Sequence, residues 1–152
     1  MNTAADVMLG TYPSWSHLVL RLALGITFFA HGSQKVFGAF GGPGLRNTIN
    51  VFRQYLGIPP AATVLAALVE CFGGLAMIVG LLSRPVALAM IGVMATAAWK
   101  VHVKNGFFLN LQNEPGKGHG FEFNFVLAAM ALSIAIGGAG RWSIDRLLWS
   151  FP

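Results

Sequence analysis

Charged residues are scarce in this sequence of 152 residues, and acidic residues are scarcer than basic ones. Only 10% of the residues are charged, with five acids against ten bases, whereas 55% are hydrophobic. A soluble globular domain usually carries about 25% charged residues. A chain this short has too much surface to expose so much apolar area to water. The composition therefore argues against a soluble domain and indicates an integral membrane protein.

Cysteine and cofactor-binding motifs are almost absent. Cys71 is the single cysteine, which excludes an intramolecular disulfide and a CxxC dithiol mechanism within the chain. No phosphate-binding loop, dinucleotide fingerprint or HExxH motif occurs, and the scattered histidine and glutamate residues lack the tight spacing of metal ligands. We therefore expect no metal and no intrinsic cofactor. The bases form no block that favours nucleic acid, and their excess fits contact with anionic membrane lipid.

Long apolar runs divide the chain, and each is close to the ~20 residues that a helix needs to cross a ~30 Å hydrocarbon core. The runs are residues 17–38, 61–82, 85–103 and 121–140. They predict an all-α membrane protein, a bundle of four transmembrane helices within residues 17–140. Residues 1–16 form an N-terminal segment without the features of a signal peptide. Residues 141–152 form an amphipathic tail, for which we expect a short interfacial helix on the membrane surface.

Four spans would place both termini on one side of the membrane and the two longer connections on the other. The end of the bundle that carries those connections, residues 39–60 and 104–120, is called the long-loop end below; the opposite end is called the turn end. Basic residues occur at both ends, so the positive-inside rule assigns no orientation.

Polar residues within the predicted spans gather near the long-loop end. An ionisable residue inside a membrane is costly, so each marks a functional hypothesis. In chain order they are His31, Gln34, Lys35, Glu70, Lys100, His102, Glu122 and Asn124.

Helical geometry predicts which of these side chains meet. His31 and Lys35 are about 40° apart around a helix of ~100° per residue. Glu70 belongs to a stripe of small residues, which let helices approach closely. A carboxylate in hydrocarbon needs a cation or a donor. Glu70 is therefore predicted to face the first span near His31 and Lys35, either as part of a site or as a structural clamp.

The same geometry separates Lys100 from His102, because they lie about 200° apart on their helix. His102 shares a face with small alanine residues and is predicted to point into the bundle. Lys100 is predicted to extend to the headgroups. His17 and His119 are interpreted as an interfacial residue and a loop residue.

Several segments, in this order, resemble the DoxX family. They are the run from Arg21 through Phe28-Phe29-Ala30-His31-Gly32-Ser33-Gln34-Lys35 to Gly38, then Gly41-Gly42-Pro43-Gly44, Glu70 with Gly73-Gly74, Gly80-Leu81-Leu82-Ser83-Arg84, His102-Val103-Lys104-Asn105-Gly106, Gly120-Phe121-Glu122 and Gly138 to Asp145. The resemblance covers about residues 17–146 and implies a multi-pass bacterial inner-membrane (plasma-membrane) protein with four helices. The family's name comes from a subunit of a thiosulfate:quinone oxidoreductase, and other members are linked to oxidative and quinone stress.

The resemblance also implies a set of candidate ligand-binding residues, which match the polar pattern of the family. They are His31, Gln34, Lys35, Glu70, His102, Asn105 and Glu122.

The first functional hypothesis is a membrane protein associated with quinone. An apolar slot lined by phenylalanines, with a few donors to the carbonyls, is what a quinone requires. His31 and Lys35 would donate, and Glu70 would accept or relay a proton. The expected phenylalanines are Phe28, Phe29, Phe37 and Phe40. If the chain takes part in catalysis, we expect it to be an oxidoreductase subunit that receives electrons from a redox partner protein.

Two other hypotheses belong to different classes. The small size and the glycine-rich helix faces also fit a non-catalytic subunit or scaffold of a larger complex or homo-oligomer. A transporter of small solutes would require an oligomer, because four spans rarely enclose a pathway alone.

Overall fold

The computed structural model describes residues 4–149, and the regular secondary structure of these residues is helical without any β-strand. The helices are α1 (Ala4–Leu9), α2 (Trp15–Phe37), α3 (Gly44–Leu56), α4 (Pro60–Val79), α5 (Ser83–Asn105), α6 (Glu122–Gly137) and α7 (Ile144–Trp149). The prediction of an all-α chain is confirmed. The predicted terminal segments are 1–16 and 141–152, and their residues 1–3 and 150–152 lie outside the described residues.

Two of the described helices are long and apolar enough to cross a membrane. They are α4, with 20 residues, and α5, with 23 residues. The apolar helix α6 has 16 residues, and α2 has 23 residues but carries Arg21 and Lys35. Their bounds agree with the four predicted runs to within a few residues, whereas the number of membrane crossings stays a prediction.

The helices α2 and α4 are in contact through their backbones. A Cβ atom on Gly25 would lie 2.9 Å from the carbonyl oxygen of Gly74, and one on Gly32 would overlap the backbone of Cys71. Only glycine permits such close approach, as at small-residue interfaces in membranes. The contact brings the second half of α2 against the middle of α4.

The apolar core lies between α2, α4, α5 and α6. Its largest fully buried apolar side chains come from each of these helices: Leu24 and Phe28, Met77, Met90, and Ile134. This core holds the four long helices in one bundle and leaves their outer faces apolar and exposed.

A buried guanidinium holds the turn end together. Arg21 is 1% exposed. Its Nε donates to the carbonyl of Ala139 at 3.1 Å, and its Nη2 donates to that of Trp142 at 3.0 Å. Its Nη1 donates to the carbonyl of Met77 at 2.9 Å and also to that of Ile78. Arg21 thus joins α2 to the end of α4 and to the segment that precedes α7.

A buried carboxylate caps α5 at the same end. Asp145 is 1% exposed, and its two oxygens accept from the backbone N–H groups of Leu82 at 2.6 Å and Ser83 at 2.8 Å. Donors at a helix start have no partner within the helix, so a carboxylate stabilises them. The predicted C-terminal tail is therefore fixed to the bundle by Asp145, while Leu147 and Leu148 remain exposed.

The first long connection contains a helix that the sequence analysis did not predict. Helix α3 spans 13 residues, with Thr48 buried and with Arg46 and Arg53 exposed. It is too short to cross a membrane and is strongly amphipathic, which is typical of a helix at an interface. It packs against α2 and α4 at the long-loop end.

We expect Asp145→Ala to lower the free energy of unfolding by about 1–3 kcal/mol, because the N–H groups of Leu82 and Ser83 lose their acceptor. Reversible unfolding of the purified chain in mixed micelles, with increasing denaturing detergent, measures the change. Glu114→Gln is the control: it removes an exposed ion pair with Lys117 and should change stability by less than about 0.5 kcal/mol. Equal effects of the two variants would contradict the capping role.

Candidate functional site

The centre of the candidate site is an ion pair between α2 and α4. The Nζ of Lys35 lies 2.5 Å from both Oε1 and Oε2 of Glu70. The side chain of Glu70 is 5% exposed and that of Lys35 is 25% exposed. The prediction that Glu70 faces the first span beside Lys35 is confirmed. The glycine contact explains it, because Gly32 lies one turn before Lys35 and Cys71 directly follows Glu70.

Two residues of the site occupy widened helical turns. Glu70 lies in a π-helical turn, Val69–Gly73, and His102 lies in another, Ala98–His102. Such turns contain one residue more than an α-helical turn, are rare, and occur frequently at functional sites. Because a widened turn shifts the helical register, it changes the direction of the side chains that follow.

An inner cavity of about 440 Å³ lies beside the ion pair, among α2, α4, α5 and α6. This volume is within the usual range for small-molecule sites. Apolar side chains make up much of the wall, among them Phe28, Met94, Phe123 and Leu127. The polar lining residues are Thr27, His31, Lys35, Glu70, His102, His119 and Asn124. Four of the seven predicted ligand-binding residues therefore surround one cavity: His31, Lys35, Glu70 and His102.

The loop between α5 and α6 covers one side of the inner cavity. It contributes Leu109, His119 and Gly120 to the wall. The Oε2 of Glu122 accepts from the N–H of Leu109 at 3.1 Å. The side-chain amide of Asn110 donates to the carbonyl of Lys117 at 2.7 Å. These bonds hold the loop in place over the cavity.

Hydrogen bonds determine the tautomers of two lining histidines. The Nδ1 of His102 lies 2.9 Å from the carbonyl oxygen of His119. A carbonyl only accepts, so Nδ1 of His102 carries the proton and a neutral ring leaves Nε2 as an acceptor. The Nδ1 of His119 accepts from the N–H of Asn110 at 3.2 Å, so its proton is on Nε2. The cavity wall thus combines an imidazole acceptor with an imidazole donor.

The other lining groups differ in their partners. His31 has no hydrogen-bond partner among the described residues, and Asn124, which is 8% exposed, donates to the sulfur of Met94 at 3.6 Å. Lys35 also lies over the ring of Phe52 in α3, 5.7 Å from its centroid. His31 is therefore the lining histidine with the most freedom to interact with a ligand.

Three predicted ligand-binding residues do not line the inner cavity. Gln34 packs against Gly42. Asn105 donates to the carbonyl of His119 at 3.0 Å, and Glu122 holds the N–H of Leu109. Asn105 and Glu122 therefore support the loop that covers the cavity. A part in ligand binding for any of the three stays a prediction.

Two predictions about individual side chains need correction, and one is confirmed. His119 was interpreted as an ordinary loop residue, but it lines the inner cavity. Of the four phenylalanines expected to line the site, only Phe28 does so. The wall of the inner cavity does not include Phe29, Phe37 or Phe40, and the last two are 65% and 77% exposed. Lys100 is exposed while His102 lines the cavity, as predicted. No periodic pattern could have located His119, because loop hydrogen bonds fix its position.

Comparison with known proteins identifies membrane proteins over most of the chain. The "Inner membrane protein YqjF" of Escherichia coli is 30% identical, over 86% of this chain and 90% of its own. The "Uncharacterized membrane protein Rv3486" of Mycobacterium tuberculosis is 29% identical, over 90% of this chain and 89% of its own length. The "Putative oxidoreductase CatD" of Bacillus subtilis is 29% identical, over 87% of this chain and 86% of its own length. No solved structure matches the chain.

The family comparison covers more than half of the chain. Residues 16–103 match DoxX, a range that includes the Lys35–Glu70 pair and ends just after His102. The resemblance inferred from the sequence motifs is thereby confirmed. The chain belongs to the DoxX family of membrane proteins.

Proposed function

We propose that the chain crosses the inner membrane four times and binds a quinone in its inner cavity as part of a quinone-linked redox or oxidative-stress process. The observation that carries the proposal is the partly buried Lys35–Glu70 pair, which lies in the wall of a cavity that three histidines also line. Ionisable groups are costly in a membrane and are usually placed where a ligand or proton needs them.

The lining of the cavity fits the chemistry of a quinone. A quinone has a flat apolar ring and two carbonyl oxygens, so it needs an apolar slot with donors. Phe28, Phe123 and Leu127 supply apolar walls. The Nε2–H of His119 and the ammonium of Lys35 supply donors. The same lining residues would hold the ring in position and exclude water from it.

Reduction of a quinone consumes two electrons and two protons. Glu70 and His31 can hold and transfer protons at the cavity wall, because carboxylates and imidazoles are the usual acid–base groups. The sequence contains no motif for a redox cofactor, so a partner protein would supply the electrons. The name of the Bacillus subtilis relative, which contains the word oxidoreductase, agrees with a role in redox chemistry.

A purely structural clamp explains the ion pair less well. A buried ion pair contributes little net stability, since desolvation offsets much of the attraction. The chain already contains a structural clamp in Arg21, whose donors all go to backbone carbonyls. The Lys35–Glu70 pair instead borders a cavity and pairs two side chains, which is expected of groups that interact with a ligand.

The proposed crossings include α2 and α6 besides α4 and α5. Helix α2 is long enough, with 23 residues, because a crossing needs ~20. Helix α6 has 16 residues, about 24 Å at 1.5 Å per residue, and apolar flanking residues extend it. Four crossings place both termini at the turn end, on one side of the membrane.

Lys35→Met should weaken binding of a short-chain quinone by about 10- to 100-fold, the loss expected when a charge-assisted hydrogen bond disappears. The measurement is a binding titration of the detergent-purified chain. Lys100→Met is the matched control, since Lys100 does not line the inner cavity, and should leave affinity unchanged. Wild-type protein that binds no quinone would contradict the proposal.

The double exchange Lys35→Glu with Glu70→Lys separates a site from a clamp. It restores an ion pair of reversed direction, so the free energy of unfolding should recover relative to either single change. Quinone affinity should stay low, because the ammonium no longer occupies its position. Recovery of both stability and quinone affinity would contradict a donor role for Lys35.

Cysteine labelling in intact cells tests the number of crossings. Gly116→Cys at the long-loop end and Arg141→Cys at the turn end, each in a Cys71→Ser background, should react oppositely with a membrane-impermeant maleimide. Exposure of both positions on one side of the membrane would exclude four crossings.

A further inference from the structure

A second cavity, called the outer groove, lies between α3, α4 and α5. Its volume is about 460 Å³, and it shares only Lys35, Glu70 and Ala97 with the lining of the inner cavity. The ion pair therefore stands in the wall between the two cavities. Apart from the three shared residues, the outer groove has no part in the proposed quinone site.

The walls of the outer groove are mostly apolar and extend along the bundle. Leu65 of α4 lines the groove and is 64% exposed. A Cβ on Gly92 of α5 would meet nothing within 4 Å. Ala89 and Lys100 both line the groove from α5, and their separation in sequence corresponds to about 16 Å along a helix at 1.5 Å per residue. The groove thus has the shape of an acyl chain that enters from the long-loop end.

The charge at the long-loop end of the groove is positive. Lys35 is paired with Glu70, so Lys100 is the groove cation without an acidic partner among the described residues. Its Nζ lies 5.4 Å from the ring centroid of Trp99, which is 73% exposed. Exposed tryptophans mark the headgroup level of a membrane, and cations at that level attract anionic lipids.

We propose that the outer groove binds an anionic phospholipid of the surrounding bilayer, with its phosphate at Lys100 and one acyl chain along Gly92 towards Ala89. The apolar wall of the groove accommodates the acyl chain. Lys100, at the long-loop end of the groove, favours a headgroup of negative charge. A neutral isoprenoid chain would fill the same wall but would leave Lys100 without a counterion. The residues that bind the lipid in this proposal, Lys100, Gly92 and Ala89, do not line the inner cavity of the proposed quinone site.

The test uses the full chain in nonionic detergent micelles, titrated with phosphatidylglycerol or phosphatidylcholine that carries brominated acyl chains. Bromine quenches tryptophan fluorescence. The signal is the difference in fluorescence between the protein and its Trp99→Phe variant, which removes the contribution of the tryptophans at the turn end. Phosphatidylglycerol should quench saturably and at lower concentration than phosphatidylcholine. Lys100→Gln should raise the half-saturation for phosphatidylglycerol about fivefold, the effect of one cation near an anionic headgroup, and leave phosphatidylcholine unchanged.

Further variants distinguish lipid binding in the groove from nonspecific attraction of anionic lipid to the basic protein. Gly92→Leu fills the groove and should weaken both lipids several-fold; Thr96→Leu, which also lines the groove, replaces it if the first variant fails to fold. Lys104→Gln removes an exposed cation outside the groove and should have no effect.

Three outcomes would overturn the proposal. The first is half-saturation at the same concentration of the two lipids, and the second is an equal effect of Lys100→Gln and Lys104→Gln. The third is displacement of phosphatidylglycerol by a neutral long-chain quinone, which would mean that the groove binds a quinone tail. Lys100 and Gly92 do not line the inner cavity. Quinone binding by their variants is therefore expected to be normal, and failure of one proposal is distinguishable from failure of the other.

Discussion

The backbone contact between α2 and α4 determines where the polar groups of this protein can meet. Glycines at 25, 32 and 74 remove the Cβ atoms that would otherwise hold the helices apart. Lys35 follows this contact by one turn, and Glu70 lies at its edge, so the ammonium and the carboxylate come within 2.5 Å. A larger side chain at any of these positions would separate the helices and leave each charge unpaired in an apolar bundle, which is unfavourable.

Helix α2 carries two cations, Arg21, which is buried, and Lys35, which is partly buried, and they have different kinds of partner. Arg21 directs its planar guanidinium at four backbone carbonyls, a fixed arrangement that suits its several donors. Lys35 has a compact charge on a flexible stem, pairs with a side chain, and is 25% exposed. The turn end is consequently closed by backbone hydrogen bonds, whereas the long-loop end keeps polar side chains beside two cavities.

Helical periodicity predicted the parts of the site that depend on helical direction alone. It placed Glu70 towards Lys35 and His102 towards the interior, and the structure confirms both. It could not place His119, whose position depends on hydrogen bonds made by Asn110 and by Glu122 across the α5–α6 loop. Helix α3 is not predicted either, because a short amphipathic helix between a glycine-rich turn and a proline-containing turn has too few apolar residues to resemble a span.

Polar groups in an apolar bundle need a physical reason, because packed hydrophobic residues would often give equal or greater stability. The polar groups at the long-loop end share one property, which is hydrogen-bonding capacity along a cavity wall. His119 presents a donor, His102 an acceptor, and Lys35 and Glu70 a charge of each sign. Such a set costs stability in an empty core, and under the proposed function it would pair with the carbonyl oxygens of a quinone. The bundle therefore concentrates these polar groups along the cavity wall at the long-loop end and leaves apolar side chains exposed on its outer faces.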